Sequence, residues 1–372
     1  MRLGLLVMLL SGWLSVCAQT AFLVRGVKAL GEYIDSSSVR GIDPRYISIP
    51  KRPWQVMTKY NMNQMNLSVT SHIPTYTEGS TLHMKTRIST SMAKNLGLWV
   101  GYRGYGIGYS KGVGSQSGTY FTIGATGSSY GFNFRLRTFS TNNLDLHLWG
   151  TGFELNDTEL RVTGDDRSFD YRESGDLDDA IRVRSLIIDG YYFFNGKRFS
   201  FMAAYDQSAV QLRSAGSLMV GAMWHNTTLR YNSNLNAGLV DLMNDIGVLK
   251  IYQGSLGVGY AYNWVPAKGF LVNMLAMPML TLYNRQKLEY YDAYIDDLDD
   301  SGKHDYVIYR ESESRHSRMT VTFDARLSLT YNWERVFACV YGQWNHFRFS
   351  YSKDGHGHVN DWYVNASLGV RF

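Results

Sequence analysis

The stretch that most constrains this chain is residues 361–372, where apolar and polar side chains alternate without a break up to a terminal phenylalanine. Trp362, Val364, Ala366, Leu368, Val370 and Phe372 share one side of a pleated strand; Asp361, Tyr363, Asn365, Ser367, Gly369 and Arg371 share the other. An apolar face ending in an aromatic resembles the closing strand of a barrel folded into an outer membrane. Val364, Leu368, Val370 and Phe372 are its expected insertion signal. Taken alone, the pattern also fits a half-buried strand of a soluble sandwich.

The same alternation recurs. Val321, Phe323, Ala325, Leu327, Leu329, Tyr331 and Trp333 oppose Thr322, Asp324, Arg326, Ser328, Thr330 and Asn332. Leu256–Trp264 and Phe132–Arg137 repeat it, with aromatics near the ends as girdle residues and polar or small residues opposite, as a polar lumen requires. Arg135, Arg137, Asp324, Arg326 and Arg371 are therefore the expected lumen-facing residues, with Asp324 and Arg326 spaced to pair. Composition agrees: 27 tyrosines, 36 glycines and only 6 prolines suit long strands joined by turns. A net charge of +5 with no Lys/Arg run gives no reason to expect a nucleic-acid partner.

The N-terminus reads as an export signal. Met1–Arg2 is a basic start, Leu3 to Val16 is mostly apolar, and Val16-Cys17-Ala18 predicts cleavage before Gln19, so residues 1–18 form the signal peptide. About fourteen apolar residues are too few to span a bilayer comfortably. Leu14-Ser15-Val16-Cys17 resembles a lipobox, with Val16 where Gly, Ala or Ser is usual. After cleavage Cys339 is the lone cysteine, and no internal disulfide can form. No later segment has eighteen consecutive apolar residues.

These readings predict an all-β, antiparallel up-and-down transmembrane barrel of roughly 12–14 strands, formed by residues 54–372. Residues 19–53 are read as a periplasmic lead-in or partial plug. Asn195-Gly196 predicts a hairpin between strands at Asp189–Phe194 and Arg198–Ala204. Pro266–Gly269 and Asn332–Arg335 predict turns, while the acidic Asp157–Ala180 and Asn284–Ser317 predict long loops.

Several segments together resemble an uncharacterised family of Bacteroidetes proteins, domain of unknown function 4421. They are Asp43–Pro50 with Trp54, Gly101–Ser110, Ser214–Leu218 with Gly221, and Leu329–Trp333 with Arg335, Phe337 and Ala338. The resemblance runs from about residue 40 to the end. It implies an outer-membrane-type barrel and supplies no catalytic residues.

Searches for chemistry find little. Asp297–Gly302 begins like a calcium loop, but Ile308 stands where an EF-hand needs Glu. Asp354-Gly355-His356-Gly357-His358 places two imidazoles in what reads as a hairpin loop, short of a zinc ligand set. His147, His225 and His346 are scattered, and no nucleophile elbow or zinc box appears. The Gly101–Gly118 run lacks the Lys-Ser/Thr of a phosphate loop; its glycines are expected to let a strand bend or let tyrosines pack across it. No catalytic residue, cofactor or metal is expected. The expected partners are outer-membrane lipids and the barrel-assembly machinery.

The expected function is a non-enzymatic channel or structural and surface protein. The alternatives are a barrel enzyme acting on lipid or surface polymer, which needs its histidines gathered at one mouth, and a soluble periplasmic lipid-binding barrel. An integral barrel stays with the membrane pellet after high-salt or carbonate washing; release into the supernatant rejects it.

Overall fold

A computed structural model describes residues 41–73, 80–89, 92–114, 118–156, 159–163, 166–231, 246–290, 312–350 and 355–372, together with Ser36. The strands in chain order are β1 (Ile47–Ser48), β2 (Trp54–Ile73), β3 (Thr81–Ser89), β4 (Ala93–Tyr102), β5 (Tyr105–Gly112), β6 (Gly118–Thr126), β7 (Tyr130–Thr151), β8 (Phe153–Asn156) and β9 (Glu159–Val162). They continue with β10 (Ser168–Phe193), β11 (Val210–Gln211), β12 (Ala215–Tyr231), β13 (Ile246–Trp264), β14 (Phe270–Tyr290), β15 (Ser312–His316), β16 (Thr320–Trp333), β17 (Val336–Ser350) and β18 (His356–Arg371). One short helix, α1 (Phe201–Tyr205), lies between β10 and β11. No helix among the described residues is long and apolar enough to cross a membrane.

Antiparallel pairing closes into a 12-strand barrel, in the order β2-β4-β5-β6-β7-β10-β12-β13-β14-β16-β17-β18 and back to β2. The strand number falls at the low end of the expected range. Closure leaves no strand edge to meet lipid, the condition for a sheet to span a bilayer. The outward residues of β18 from Trp362 to Phe372 are the apolar set read from the sequence. At about 3.3 Å per residue and a usual barrel tilt they cover a band about 25 Å tall. The band continues around the wall through Leu98, Leu218, Val258, Leu280 and Leu329, with Trp264, Phe270 and Trp333 at its short-turn end. Val364, Leu368, Val370 and Phe372 all lie on this outer face.

The wall is not uniform. β2 pairs with β4 along Trp54–Asn63 but with β3 along Asn66–Ile73. β7 likewise pairs with β6 along Gly131–Phe139 but with β3 along Asn143–Thr151. The β5–β6 hairpin is thus inserted only at the short-turn end. Removing its two strands from the twelve leaves ten around the opposite end.

Several local expectations give way. Arg198–Ala204 is no strand: Ser200 Oγ accepts from Ala203 N and starts α1, so Asn195-Gly196 opens a long connection rather than a hairpin. Much of Asp157–Ala180 is the upper part of β10, paired with β7 from Ser168↔Thr151 to Asp176↔Asn143. Asn284–Tyr290 extends β14 and pairs with β15. Beyond the apolar band both faces of a strand tolerate charge, so acidic composition does not mark a loop there. His356–His358 is strand, not hairpin loop. Trp54–Val69 is part of β2 within the barrel, and Asn143–Leu155 completes β7 and starts β8. Asp297–Gly302 and the proposed signal peptide lie outside the described residues.

The Gly101–Gly118 run serves a tryptophan rather than the expected tyrosines. Trp99 points inward, and its indole lies over glycines of β5 and β6. A Cβ at Gly106 would come within 2.5 Å of Trp99, and one at Gly124 within 2.9 Å. Nothing lies within 4 Å of a Cβ placed at Gly175. Gly106→Leu is therefore expected to destabilise the detergent-solubilised barrel by about 1–3 kcal/mol, while Gly175→Ala leaves the thermal midpoint within a degree or two; equal midpoints would reject the slot.

Candidate functional site in the filled lumen

The inward residues do not line an open hole. At mid-height four strands direct charges at one another. Arg135 from β7 pairs with Asp189 from β10 and reaches Gln343 on β17 across the lumen. Asn133 Nδ2 donates to the same Asp189 at 2.6 Å. From β16, Arg326 donates to Asp324 at 3.1–3.2 Å, lies 3.4 Å from Asp189 and hydrogen-bonds Tyr191 Oη. Tyr191 Oη donates in turn to Asp324 at 2.9 Å, and Gln343 Nε2 donates to its other oxygen at 3.0 Å. Asp189 and Asp324 are fully buried. Nearer the long-loop end, Arg137 makes a two-pronged contact with Asp361 on β18, at 2.9 and 2.5 Å. Buried charges persist in this way only when paired and hydrogen-bonded.

Around and beyond these ion pairs apolar side chains share the interior with uncharged polar ones such as Asn61, Gln253, Thr281 and Gln286. Met65, Leu67, Ile181, Val183, Phe347 and Val359 belong to one buried cluster that continues down to Tyr191, Phe193 and Phe201. His225 on β12 is inside this core, stacked on Phe347 at 3.9 Å, with Thr227 Oγ1 2.7 Å from its Nε2.

The short-turn end is filled by backbone as well. β1 pairs with β11, and Ile47 packs with Met202, Ala203, Ala204, Ala209 and Leu271. Arg45 folds back on Asp43 at 2.8 Å, and that hydrogen bond holds the Asp43 carboxyl down at about 2. Arg371 does not meet a carboxylate. Its guanidinium donates to Gln207 O at 2.6 and 3.0 Å and to Asn332 Oδ1 at 2.5 Å, clamping the α1–β11 segment to β16 and β18. Gln55 Nε2 donates to Asp206 O at 2.7 Å from the other side. Cys339 is buried, 3.6 Å from Ala204 O.

Thus Arg135, Arg137, Asp324, Arg326 and Arg371 all project inside the barrel, the first four in ion pairs and the last in a carbonyl clamp. Sequence reading missed Asp189, Asp361 and Lys59. Asp361 stood on the polar face of β18, so its role was readable from parity. Lys59 lies over the Trp99 ring at 3.9 Å and borders a polar cavity of about 50 Å³ shared with Arg135, Arg326 and Asp206. No local pattern announced α1.

His147, His225 and His346 are not brought together. His147 is on the outer face of β7, 3.1 Å from Asp170; His225 is inside; His346 is on the outer face of β17, bonded to Asn360 at 2.6 Å. No group of three or more His, Cys, Asp or Glu poised for a metal occurs among the described residues.

Comparison with solved structures returns outer-membrane barrels distant in sequence. The outer membrane protease OmpT of Escherichia coli aligns at 9% identity over 87% of this chain and 98% of that one, with a TM-score of 0.40. An outer membrane channel of Pseudomonas putida F1 aligns at 10% identity over 89% and 100%, with a TM-score of 0.31. The translocator domain of the autotransporter NalP of Neisseria meningitidis aligns at 9% identity over 96% and 98%, with a TM-score of 0.27. No curated protein matches the sequence. The profile described as Domain of unknown function (DUF4421) matches residues 41–372, and the chain belongs to that family.

Proposed function

We propose that this protein is an outer-membrane barrel with a closed lumen, acting as a structural and surface protein rather than as an open channel. The observation that carries the reading is the crossing layer of Arg135, Asp189, Asp324, Arg326, Tyr191 and Gln343, which ties β7, β10, β16 and β17 together through the middle of the barrel. A solute passing through would have to part buried ion pairs and then displace α1 and β1. Parting one buried pair costs about 3–5 kcal/mol, too much for steady conduction. Export through a signal peptide cut before Gln19, and recognition of the strand ending at Phe372 by the assembly machinery, belong to the same reading. Gathering catalytic histidines at one mouth, which the barrel-enzyme alternative needed, finds no support in the placement of His147, His225 and His346.

Planar-bilayer recording tests it. Folded wild-type protein is expected to give no steady conductance. Asp189→Ala leaves Arg135 and Arg326 short of a partner; it is expected to lower stability by about 3–5 kcal/mol and to introduce leak currents. A stable wild-type conductance that changes on Asp324→Asn or Arg326→Gln would reject the closed-lumen reading in favour of a channel.

A further inference from the structure

Six of the chain's nine histidines lie on one outer sector of the wall, and none of the six is used by the lumen. They are His346 on β17, His356 and His358 on β18, His72 on β2, His83 on β3 and His147 on β7. The strand register sets them among cations. One row across the sector runs Arg348, His358, Ser68, Arg87, Asp145, Ser174. The next row outward runs Thr70, Lys85, His147, Arg172, with His356 at its β18 end. These rows lie just beyond Trp344 and Trp362, at the upper edge of the apolar band.

Charge in this sector is not balanced. Asp170 is taken by His147 at 3.1 Å and Arg172 at 3.3 Å. Asp145 stands opposite Arg87 in register yet accepts from Ser174 Oγ at 2.9 Å, with no ion pair to Arg87. Among the described residues Lys85, Arg87 and Arg348 have no carboxylate partner; Arg348 Nε instead donates to His346 at 3.0 Å. Lys85, Arg87, His147 and Arg172 border an open groove of roughly 550 Å³, lined also by Asp145 and by Glu173, which accepts from Tyr171 Oη at 2.8 Å. One row farther from the apolar band, rings border the groove: His83 stacks on Trp149 at 5.4 Å and His147 on the same ring at 4.7 Å.

The wall also steps inward here. β3 pairs directly with β7 above the level where the β5–β6 hairpin ends, so the sector loses two strand widths, about 10 Å of circumference. An anionic group anchored in the bilayer by apolar chains would meet this recess at headgroup height. Unpaired Lys and Arg at that height attract anionic headgroups at about 1 kcal/mol each, and guanidinium groups bind phosphate through paired hydrogen bonds.

We infer that the outer face of β17, β18, β2, β3 and β7 just above the aromatic girdle is a docking site for a phosphorylated lipid headgroup of the outer leaflet, with Lys85, Arg87 and Arg348 holding the phosphates. The inference rests on the closed-lumen, membrane-embedded reading for its orientation, and it names the partner of that surface.

Native mass spectrometry tests it on the full-length folded barrel in detergent. The probe is a synthetic diphosphorylated lipid A, compared with the same lipid without phosphates. Wild-type protein is expected to bind the diphosphorylated form at least tenfold more tightly. Lys85→Gln/Arg87→Gln is expected to lose about thirtyfold of that affinity, and Arg335→Gln, at the short-turn end, to lose none. Folding of each variant is checked by heat-modifiable gel mobility; if the double variant does not fold, Arg348→Gln is read in its place and is expected to lose severalfold. Equal affinity for the two lipids, no loss in the folded variants, or the same loss in Arg335→Gln overturns the site. Displacement of the lipid by equimolar inorganic phosphate overturns it in favour of free phosphate. The conductance experiment is independent, so failure of the lumen reading and failure of the lipid site are told apart.

Discussion

Everything in this structure depends on the pairing of the first barrel strand with the last. β2 and β18 align from Gln55↔Arg371 to Thr70↔His356, and Trp54 and Phe372 exchange backbone hydrogen bonds at 3.0 and 3.3 Å. Without that seam two sheet edges would face lipid with their amides unsatisfied, at several kcal/mol each. Once the ring is closed, each strand has one side in hydrocarbon and one in a narrow interior. The interior must then be filled, because an empty space between packed side chains forfeits contacts and an unpaired charge within it is costly. The crossing ion pairs and the inserted α1 segment are the consequence of closure rather than additions to it.

The interior combines two solutions. Toward the short-turn end backbone enters the lumen and is held by side chains with spare donors: Arg371 on Gln207 O, Gln55 on Asp206 O, Asn263 on Ser200 O at 2.9 Å. Toward the long-loop end the lumen holds apolar side chains beside a linked polar chain, in which Gln253 donates to Arg348 O at 2.6 Å and Gln286 donates to Asn284 at 2.7 Å. The ion-pair layer lies between them. Each of its acids meets donors from more than one strand, so the layer fixes the relative positions of strands that share no ladder.

How much was legible follows from where alternation holds. β18 and β16 keep strict parity through the membrane, so their outer and inner faces, including Asp324, Arg326 and Arg371, could be read residue by residue. Parity fails on β14: a bulge opposite Gly254/Ser255 leaves Leu282 unpaired, and Leu282 and Tyr283 both face outward. Beyond it Asn284 and Gln286 turn inward, which no count of apolar residues reveals. The acidic tract of β10 was opaque for another reason. Above the bilayer a strand is wet on its outer face, and composition no longer separates strand from loop. Long-range partners were out of reach altogether; Arg135 and Gln343 are 208 residues apart.

The tapering wall has a consequence for register. In a barrel of equal strands, sliding one strand two residues past its neighbour restores the same facing of every side chain, so parity alone does not forbid it. Here β3 and β4 follow one path along β2, and the β5–β6 hairpin occupies the space between β4 and the lower half of β7, directly below the β3–β7 ladder. Sliding β2 against β7 would drive the hairpin into that ladder or open a gap beneath it. The hairpin works as a key in a keyway, and it leaves the closed ring a single way to fit together.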